Sequence, residues 1–405
     1  MSLRPFNLRS DTVTRPTAAM RSAMAAADVG DDAHGDCPTV KALEARAATL
    51  MGKEAGVFVV SGVMGNLVSI MAHCEQRGSE VIAGSTSHII IYEGGGVSIV
   101  AGALVRSVPN NAADGTMDLA AIEACIRSSD EAGMFPATRC ICLENTQCSS
   151  GGKVPPLAFG DAVQELASRR GVQVHLDGAR IFNAAAALGC SPARVASCAD
   201  SVTFCLSKGL GAPVGSVVCG TAAFCTRVRR ARKLVGGTMH QCGILAAAGL
   251  VALADEHIAE QPRRDQANAY QLADRINARA EGTLSGTGEP LPAATWPLLQ
   301  VTSMPESNIV VVRTHDVIDS GCLVAEMEKR GVLAFPLSLT SIRMVCHLEI
   351  EEGDIETIFE ATMEAAAAAF ELGTRAKAEE GKDGAGAGSA GTGTLGGSYG
   401  SWNTN

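Results

Sequence analysis

Val174-His175-Leu176-Asp177-Gly178-Ala179-Arg180 and, further along the chain, Leu206-Ser207-Lys208-Gly209 are the stretches that decide the fold. In the first an apolar run ends in Asp177, and in the second an apolar run ends at Ser207-Lys208. Short apolar runs separated by helical patterns are typical of parallel strands that are buried on both faces. Because residues just past the carboxyl ends of parallel strands converge on one crevice, we expect Asp177 and Lys208 to lie close together.

An aspartate and a lysine in one crevice suit pyridoxal 5'-phosphate (PLP). A lysine amine can bind the cofactor aldehyde covalently, and an aspartate can pair with the protonated ring nitrogen so that the ring accepts electrons. Taken singly, Asp177 would more often be a capping residue and Lys208 a solvated surface residue. Their shared position at strand ends favours the cofactor site.

Composition narrows the class of protein further. The 405 residues exceed the usual single domain, so we expect two domains. A net charge of −10, with acids and bases interspersed, argues against a nucleic-acid or membrane-surface partner. No apolar stretch approaches the ~20 residues of a membrane helix, and no signal peptide is evident.

The cysteines indicate the compartment. The chain has 14, several of them inside apolar runs, which is typical of reduced thiols in a cytoplasmic protein. Their spacing matches no metal site, and we predict no metal.

Alternating strand and helix patterns predict an α/β fold, with a mostly parallel sheet covered by helices on both faces and a smaller C-terminal α+β domain. The run Val97-Ser98-Ile99-Val100 is predicted as one of the strands, and residues 354–372 as a helix. We expect an N-terminal arm contributing to the active site (1–30), a large cofactor-binding domain (31–260), a small domain (261–375) and a disordered Gly/Ser/Ala-rich tail (376–405).

Many short motifs together carry a family resemblance. The chain resembles the low-specificity L-threonine aldolases of the β-eliminating lyase group, PLP enzymes with the aspartate-aminotransferase-like fold (fold type I). The similarity runs from about Asn7 to Leu372. Its motifs are Leu8-Arg9-Ser10-Asp11-Thr12, Val29-Gly30-Asp31-Asp32, Gly35-Asp36, Pro38-Thr39-Val40, Ser61-Gly62, Ser87-His88-Ile89, Tyr92-Glu93, Glu144-Asn145-Thr146, Leu176-Asp177-Gly178-Ala179-Arg180, the run Ser207-Lys208-Gly209-Leu210-Gly211-Ala212-Pro213-Val214-Gly215, and Arg343 with His347.

The resemblance implies cofactor contacts. Lys208 would bind PLP covalently, Asp177 would hold the ring nitrogen, and the backbone N–H groups of Gly62 and Val63 would meet the phosphate where a strand becomes a helix. Gly62 is equally compatible with a structural turn, and Lys233 is almost as well explained by a solvated basic face. The expected cofactor contacts are Gly62, Val63, His88, Asp177, Arg180, Ser207, Lys208 and Lys233.

The resemblance also implies the substrate contacts. His88 would stack over the cofactor ring and serve as a base, because an imidazole titrates near neutrality. Without the resemblance, a lone histidine is more often structural, and His175 is assigned no catalytic role. Arg343, with Ser10 and Arg180, would hold the substrate carboxylate. The run Glu144-Asn145-Thr146 is compatible with a scaffold role only.

Four positions depart from the family pattern: His34, Val63, Gln147 and His240. In the family these positions commonly hold a tyrosine, a threonine, a histidine and an arginine. The departures leave the preferred side chain and the erythro/threo preference of the substrate open.

The resemblance implies retro-aldol cleavage of L-threonine, L-allo-threonine and related β-hydroxy-α-amino acids to glycine and an aldehyde. It also implies a homo-oligomer, usually a tetramer, and a role in threonine catabolism and glycine biosynthesis. One alternative is a lyase of the same fold that acts by β-elimination or on an aryl-β-hydroxy amino acid such as phenylserine. Another is a non-catalytic relative, which the presence of Lys208 and Asp177 disfavours.

Overall fold

The computed structural model describes residues 4–127, 134–280 and 297–383. Its strands are β1 (Phe6–Asn7), β2 (Ala55–Val59), β3 (Ser79–Gly84), β4 (Leu104–Val108), β5 (Ala137–Glu144), β6 (Gln173–Asp177), β7 (Ser201–Cys205), β8 (Ser216–Gly220), β9 (Leu299–Val301), β10 (Ile309–Thr314), β11 (Val332–Leu333), β12 (Phe335–Ser338) and β13 (Ser341–Val345). Its α-helices are α1 (Ala18–Ala25), α2 (Pro38–Met51), α3 (Gly62–His73), α4 (His88–Ile91), α5 (Gly96–Ile99), α6 (Leu119–Cys125), α7 (Leu157–Arg170), α8 (Ile181–Leu188), α9 (Pro192–Ala196), α10 (Ala222–Leu234), α11 (Gly243–Ala252), α12 (Asp255–Ala280), α13 (Ser320–Lys329) and α14 (Ile355–Asp383).

A seven-stranded sheet forms the larger part of the molecule, in the order β2-β8-β7-β6-β5-β3-β4. Every pairing is parallel except those of β8, which runs antiparallel to β2 and β7. Side chains alternate between two packed faces: Phe58 packs with α2 and α11, whereas its neighbours Val57 and Val59 pack with α3 and α10. The predicted fold class, a mostly parallel sheet covered on both faces, is therefore confirmed.

A second sheet, β12-β13-β10-β9, is antiparallel and belongs to a smaller C-terminal unit. Helix α12 spans both units, because Ile258 packs on the large core while Leu272 and Ile276 lie in the small one. The predicted boundary between residues 260 and 261 thus falls inside a helix, and the domain division remains a prediction. The N-terminal arm pairs through β1 with β11, and Leu8 is buried in the small core.

Two predicted elements need correction. The run Val97–Val100 is not a strand: residues Gly96–Ile99 form the short helix α5, and the neighbouring edge strand is β4. Gly94 and Gly95 have positive φ angles of 62° and 75°, so they turn the chain just before the segment that was expected to be extended.

Helix α14 ends at Asp383, beyond the predicted end at 372. The first residues of the predicted disordered tail, 376–383, therefore continue this helix, because they are mostly Ala, Lys and Glu, which favour helices. The remainder of that tail, 384–405, lies outside the described residues. Among the residues described, no helix combines the length and apolar character needed to cross a bilayer.

Candidate functional site

The candidate site lies at the carboxyl ends of three adjacent strands. Glu144 ends β5 and is paired in register with Asp177, which ends β6 and is paired in turn with Thr203 of β7. Lys208 follows β7 after a short turn. The structure thus brings the predicted aspartate and lysine to the same edge of the sheet.

Asp177 is held from two sides. The backbone N–H of Ala179 donates to its Oδ1 at 3.0 Å, and Asn66 Nδ2 donates to its Oδ2 at 2.8 Å. The residue is only 6 % exposed. A buried carboxylate fixed in this way is suited to receive a protonated ring nitrogen.

His88 begins the short helix α4, and both its backbone and its ring are fixed by acids. Its Nδ1 lies 2.8 Å from Glu93 Oε1, and its backbone N–H donates to Glu144 Oε2 at 2.9 Å. Burial opposes the charged imidazole, but the hydrogen bond with Glu93 and the charges of Asp177 and Glu93 outweigh it, so the pKa of His88 is raised.

Glu144 also accepts from the backbone N–H of Cys148 at 2.8 Å. Burial, with the nearby charge of Asp177, raises the pKa of Glu144 to about 7. The role of this residue is therefore to brace the backbone of His88 and of Cys148, which is consistent with the scaffold interpretation of the sequence.

Lys208 is fixed through its backbone. Its carbonyl oxygen accepts from Thr14 Oγ1 and from the N–H of Gly211, both at 2.9 Å, so the N-terminal arm closes over this turn. Burial opposes its charge, and so does Arg180, but Cys205, Asp11 and Asp177 outweigh them and the pKa of Lys208 is raised. The ammonium form is therefore favoured at neutral pH in this arrangement.

The start of α3 forms a cradle between β2 and β7. Ser61 caps the helix by accepting from the N–H of Met64 at 3.1 Å, and the first N–H groups of a helix, here those of Gly62 and Val63, have no partner inside it. A side chain on Gly62 would come within 2.8 Å of Cys205 Sγ. Only glycine allows α3 to begin this close to the end of β7, and N–H groups without a helical partner at a helix start suit an anion.

A second group of residues gathers around Arg180 and Arg343. Arg180 donates to both oxygens of Asp11, at 2.6 and 2.8 Å, and its Nη1 lies 3.7 Å from Cys148 Sγ. Arg343 Nη1 lies 3.9 Å from the same sulfur, and its guanidinium stacks over Phe335 at 5.0 Å. Arg343 Nε is buried without a hydrogen-bond partner in the described chain. Unpaired guanidinium capacity at this position suits a carboxylate ligand.

The remaining predicted residues lie as follows. Ser10 caps the turn Asp11–Val13 by accepting from the N–H of Thr12 at 3.2 Å, next to the Arg180 pair. Ser207 is half-buried beside Lys208. Lys233 is exposed in the last turn of α10, whereas its neighbour Arg232 points inward and pairs with Asp32 at 2.7 Å. The structure does not bring Lys233 to the other predicted residues, and its phosphate contact remains a prediction.

Two of the four positions that depart from the family pattern are peripheral. His34 and His240 are exposed and face Asp31, at 4.0 and 3.1 Å. Gln147 is buried, and its Nε2 donates to the carbonyl of Thr86 at 3.2 Å. It therefore anchors the loop before His88.

Sequence reasoning assigned no role to Asn66, Glu93 or Asp11. Glu93 and Asp11 belong to motifs that carry the family resemblance, Tyr92-Glu93 and Ser10-Asp11-Thr12, which was the only signal for them. Asn66 gave none beyond a polar residue on the inner face of α3. Ligand atoms of His88, Glu93 and Asp177 lie within 4.8 Å of one another, as in a metal site. The Asn66 amide, however, donates to both carboxylates, so we interpret the group as a hydrogen-bonded cluster and assign no metal to it.

A mostly parallel sheet with an acid and a lysine at its carboxyl edge defines the class of fold type I PLP enzymes. The fold is shared with a threonine aldolase from Leishmania major, at a TM-score of 0.72 and 18 % identity over 89 % of this chain and all of the other (100 %). It is also shared with a structure of SPT with PLP, at a TM-score of 0.68 and 18 % identity over 90 % of this chain and 88 % of the other.

Sequence comparison identifies the family. The family model for β-eliminating lyases matches residues 7–284. The low-specificity L-threonine aldolase 1 of Arabidopsis thaliana is 44 % identical over 360 residues, which cover 88 % of this chain and 94 % of the relative. The low specificity L-threonine aldolase of Escherichia coli K12 is 38 % identical over 87 % of this chain and 97 % of the relative. The chain belongs to the β-eliminating lyase family.

Proposed function

We propose that this chain is a PLP-dependent aldolase that cleaves L-threonine, L-allo-threonine and related β-hydroxy-α-amino acids to glycine and an aldehyde. The observation that carries the proposal is the meeting of Lys208, Asp177 and His88 at one sheet edge, where the Arg180 guanidinium, close to Lys208, shares the neighbourhood of Cys148 Sγ with that of Arg343. Relatives that cover most of the chain bear the name low-specificity L-threonine aldolase, which supports the same reaction.

The residues present fit PLP. The glycine-dependent cradle at the start of α3 suits the phosphate, Asp177 suits the ring nitrogen, and Lys208 supplies the amine for the aldehyde. When bound there, PLP supplies an electron sink for the bond that is cleaved. The thiol of Cys205 packs against Gly62, so the phosphate cradle and the strand before Lys208 are in direct contact.

The substrate carboxylate would be held by Arg343, with Arg180 and Ser10 beside it. The two Nη1 atoms lie 3.7 and 3.9 Å from Cys148 Sγ, which puts both guanidinium groups around one small volume. A carboxylate fixed by charge-assisted hydrogen bonds has a defined orientation, and this selects which bond at Cα is cleaved.

His88 would accept the proton of the substrate β-hydroxyl. A raised pKa makes it a stronger base, and Glu93 at 2.8 Å fixes the ring and stabilises the imidazolium that forms. The backbone hydrogen bond to Glu144 limits movement of α4. Loss of that proton is what allows the Cα–Cβ bond to break with release of an aldehyde.

Product identification tests the proposal. The PLP-loaded protein should convert L-threonine and L-allo-threonine to glycine and acetaldehyde, and a Lys208→Ala protein should not. L-Serine and L-phenylserine should be tested as substrates in the same assay. Ammonia and a 2-oxo acid as the main products, namely 2-oxobutyrate from L-threonine and pyruvate from L-serine, would instead establish the β-elimination alternative. Activity on phenylserine alone would establish the aryl alternative.

We further propose a homotetramer in a reducing compartment, the cytoplasm. All 14 cysteines are free, including pairs as near as Cys140 and Cys142, whose sulfurs are 4.0 Å apart.

Ile99, Val100 and Leu104 are 78 %, 49 % and 55 % exposed near the sheet edge, which suits a surface covered by another subunit. Light scattering of wild type and Ile99→Asp tests the assembly. The reaction would serve threonine catabolism and glycine biosynthesis.

A further inference from the structure

A buried row of polar side chains leads away from the two acids of the candidate site. Asn66, on α3, is 1 % exposed, and its Nδ2 donates to Asp177 Oδ2 at 2.8 Å and to Glu93 Oε1 at 2.9 Å. One amide therefore joins the carboxylate proposed for the cofactor ring to the carboxylate that orients His88.

The row continues through neutral groups. His175 Nε2 lies 3.2 Å from Asn66 Oδ1, and His175 Nδ1 lies 2.9 Å from Ser201 Oγ. His73 Nε2 lies 2.7 Å from the same hydroxyl. Burial lowers the pKa of His175 to about 3 and that of His73 to about 4, so both imidazoles are uncharged at neutral pH.

Only one assignment of donors and acceptors satisfies every hydrogen bond in this row of side chains. Carboxylates accept, so the Asn66 nitrogen faces them and its oxygen faces His175, which must donate from Nε2. A neutral imidazole has one N–H, so Nδ1 accepts from the Ser201 hydroxyl, whose oxygen accepts from His73 Nε2. Every donor in the row therefore points toward Asp177 and Glu93, and aligned hydrogen bonds of this kind strengthen one another.

We propose that Asn66 is a positioning residue that couples Asp177 to the Glu93–His88 pair, and that His175, Ser201 and His73 fix the orientation of its amide. This inference rests on the proposed PLP function. The hydrogen bond from Asn66 stabilises negative charge on Asp177 where a protonated ring nitrogen would meet it. It also fixes the Glu93 oxygen on which the orientation of His88 depends.

Asn66→Leu in the full-length, PLP-loaded protein is the primary test. It keeps the side-chain size and removes both donated bonds. We expect weaker PLP binding by about 10- to 100-fold, from the loss of a bond to a charged acceptor. The midpoint of the pH titration of the visible absorption should move by ~1 pH unit, because the charge facing the ring changes.

Asn268→Leu is the matched control. Asn268 is also 1 % exposed and donates to the carbonyl of Ile350 at 2.9 Å in the small unit. Both variants should lower the thermal midpoint, but only Asn66→Leu should change the titration and the PLP dissociation constant.

Ser201→Ala keeps the proposal testable if Asn66→Leu does not fold. It breaks the row between the two imidazoles, and it should shift the absorption midpoint in the same direction as Asn66→Leu but less. An unchanged midpoint in the folded variants overturns the role of Asn66. A wild-type protein that takes up no PLP overturns the proposed function itself, which separates the two failures.

Discussion

Asp11 and Arg180 form a buried bidentate ion pair, in which Nε and Nη2 of Arg180 lie 2.6 and 2.8 Å from the two carboxylate oxygens of Asp11. The residues are 169 positions apart, so the pair ties the N-terminal arm to the end of β6. The third nitrogen of the guanidinium, Nη1, does not contact Asp11 and lies near Cys148, where the substrate carboxylate is proposed to bind. The N-terminal arm thus fixes the orientation of the Arg180 guanidinium in the candidate site.

Asp11→Asn should destabilise the protein strongly. Removing one partner of a buried pair leaves an uncompensated charge, which costs about 3–5 kcal/mol in the free energy of unfolding. Asp316→Asn is the control, because its pair with Arg313 has side chains 75 % and 53 % exposed and should cost no more than ~1 kcal/mol. Denaturant titration of both variants measures the loss in the free energy of unfolding. Equal losses in the two variants would contradict the larger contribution expected of the buried pair.

The same pair predicts an acid limit to stability. Burial alone would raise the pKa of Asp11, but Arg180 outweighs it and the pKa of Asp11 is well below its usual range. A lowered folded-state pKa contributes stability that is present above the unfolded value of ~3.9 and is lost as the pH falls through the folded value. The thermal midpoint of wild type should therefore fall more steeply below about pH 4 than that of Asp11→Asn.

His88→Asn should preserve PLP binding and slow cleavage. Loss of a single general base typically costs roughly 10²- to 10⁴-fold in turnover. Asparagine keeps a hydrogen-bonding group toward Glu93 Oε1, so the loop should stay folded. Steady-state kinetics with L-threonine, alongside PLP content from absorbance, gives the comparison. Unchanged turnover would mean that another group carries the proton.

Glu93→Gln should move the acid side of the pH–rate profile. The raised pKa of His88 depends on Glu93 and Asp177, so the wild-type midpoint in kcat/KM should lie above the ordinary histidine value of ~6.5. Removing the Glu93 charge lowers the pKa of His88. The acid-side midpoint of kcat/KM should therefore move to lower pH. Glu80→Gln is the control, since Glu80 is also buried but pairs with Arg106 on β4. A shift in both variants, or in neither, would contradict the link between Glu93 and His88.

The strand-end placement of Asp177 and Lys208 could be predicted because it depends on local pattern alone. Short apolar runs indicated β6 and β7, and parallel neighbours end at the same edge. Helix α2 is bounded by equally local signals, with Pro38 at its start and Gly52 in a left-handed conformation after Met51. These features depend on residues that are near one another in the chain.

Contacts between distant segments could not be predicted in this way. Asn66 reaches Asp177 across 111 positions, and no periodicity distinguishes it from any other polar residue on α3. The run Val97–Val100 looked like a strand because it is apolar and β-branched, yet Ile99 is 78 % exposed. Apolar residues on a surface give the same pattern as apolar residues in a sheet.

Arg343→Ala should weaken the apparent affinity for the amino acid and leave PLP binding intact. A charge-assisted contact to a carboxylate is worth ~1.5–3 kcal/mol, or about 10- to 150-fold in apparent affinity. Arg313→Ala on the adjacent strand β10 is the control, because Arg313 pairs with Asp316 at the surface. Substrate titration of the absorption spectrum measures affinity apart from turnover. Normal substrate affinity in Arg343→Ala would show that the carboxylate is held elsewhere.

Lys208 is the residue on which the proposed reaction depends, because only an amine at that turn can bind the PLP aldehyde covalently. Borohydride treatment of the PLP-loaded protein, followed by peptide mass analysis, should find the pyridoxyl group on Lys208. Lys208→Ala should still bind PLP through the cradle at Gly62 and the carboxylate of Asp177, but more weakly, without a covalent link and with near-background activity. Lys233→Ala, which changes an exposed lysine of α10, should keep the label on Lys208. A label on another lysine in wild type, or full activity in Lys208→Ala, would refute the assigned site and the reaction derived from it.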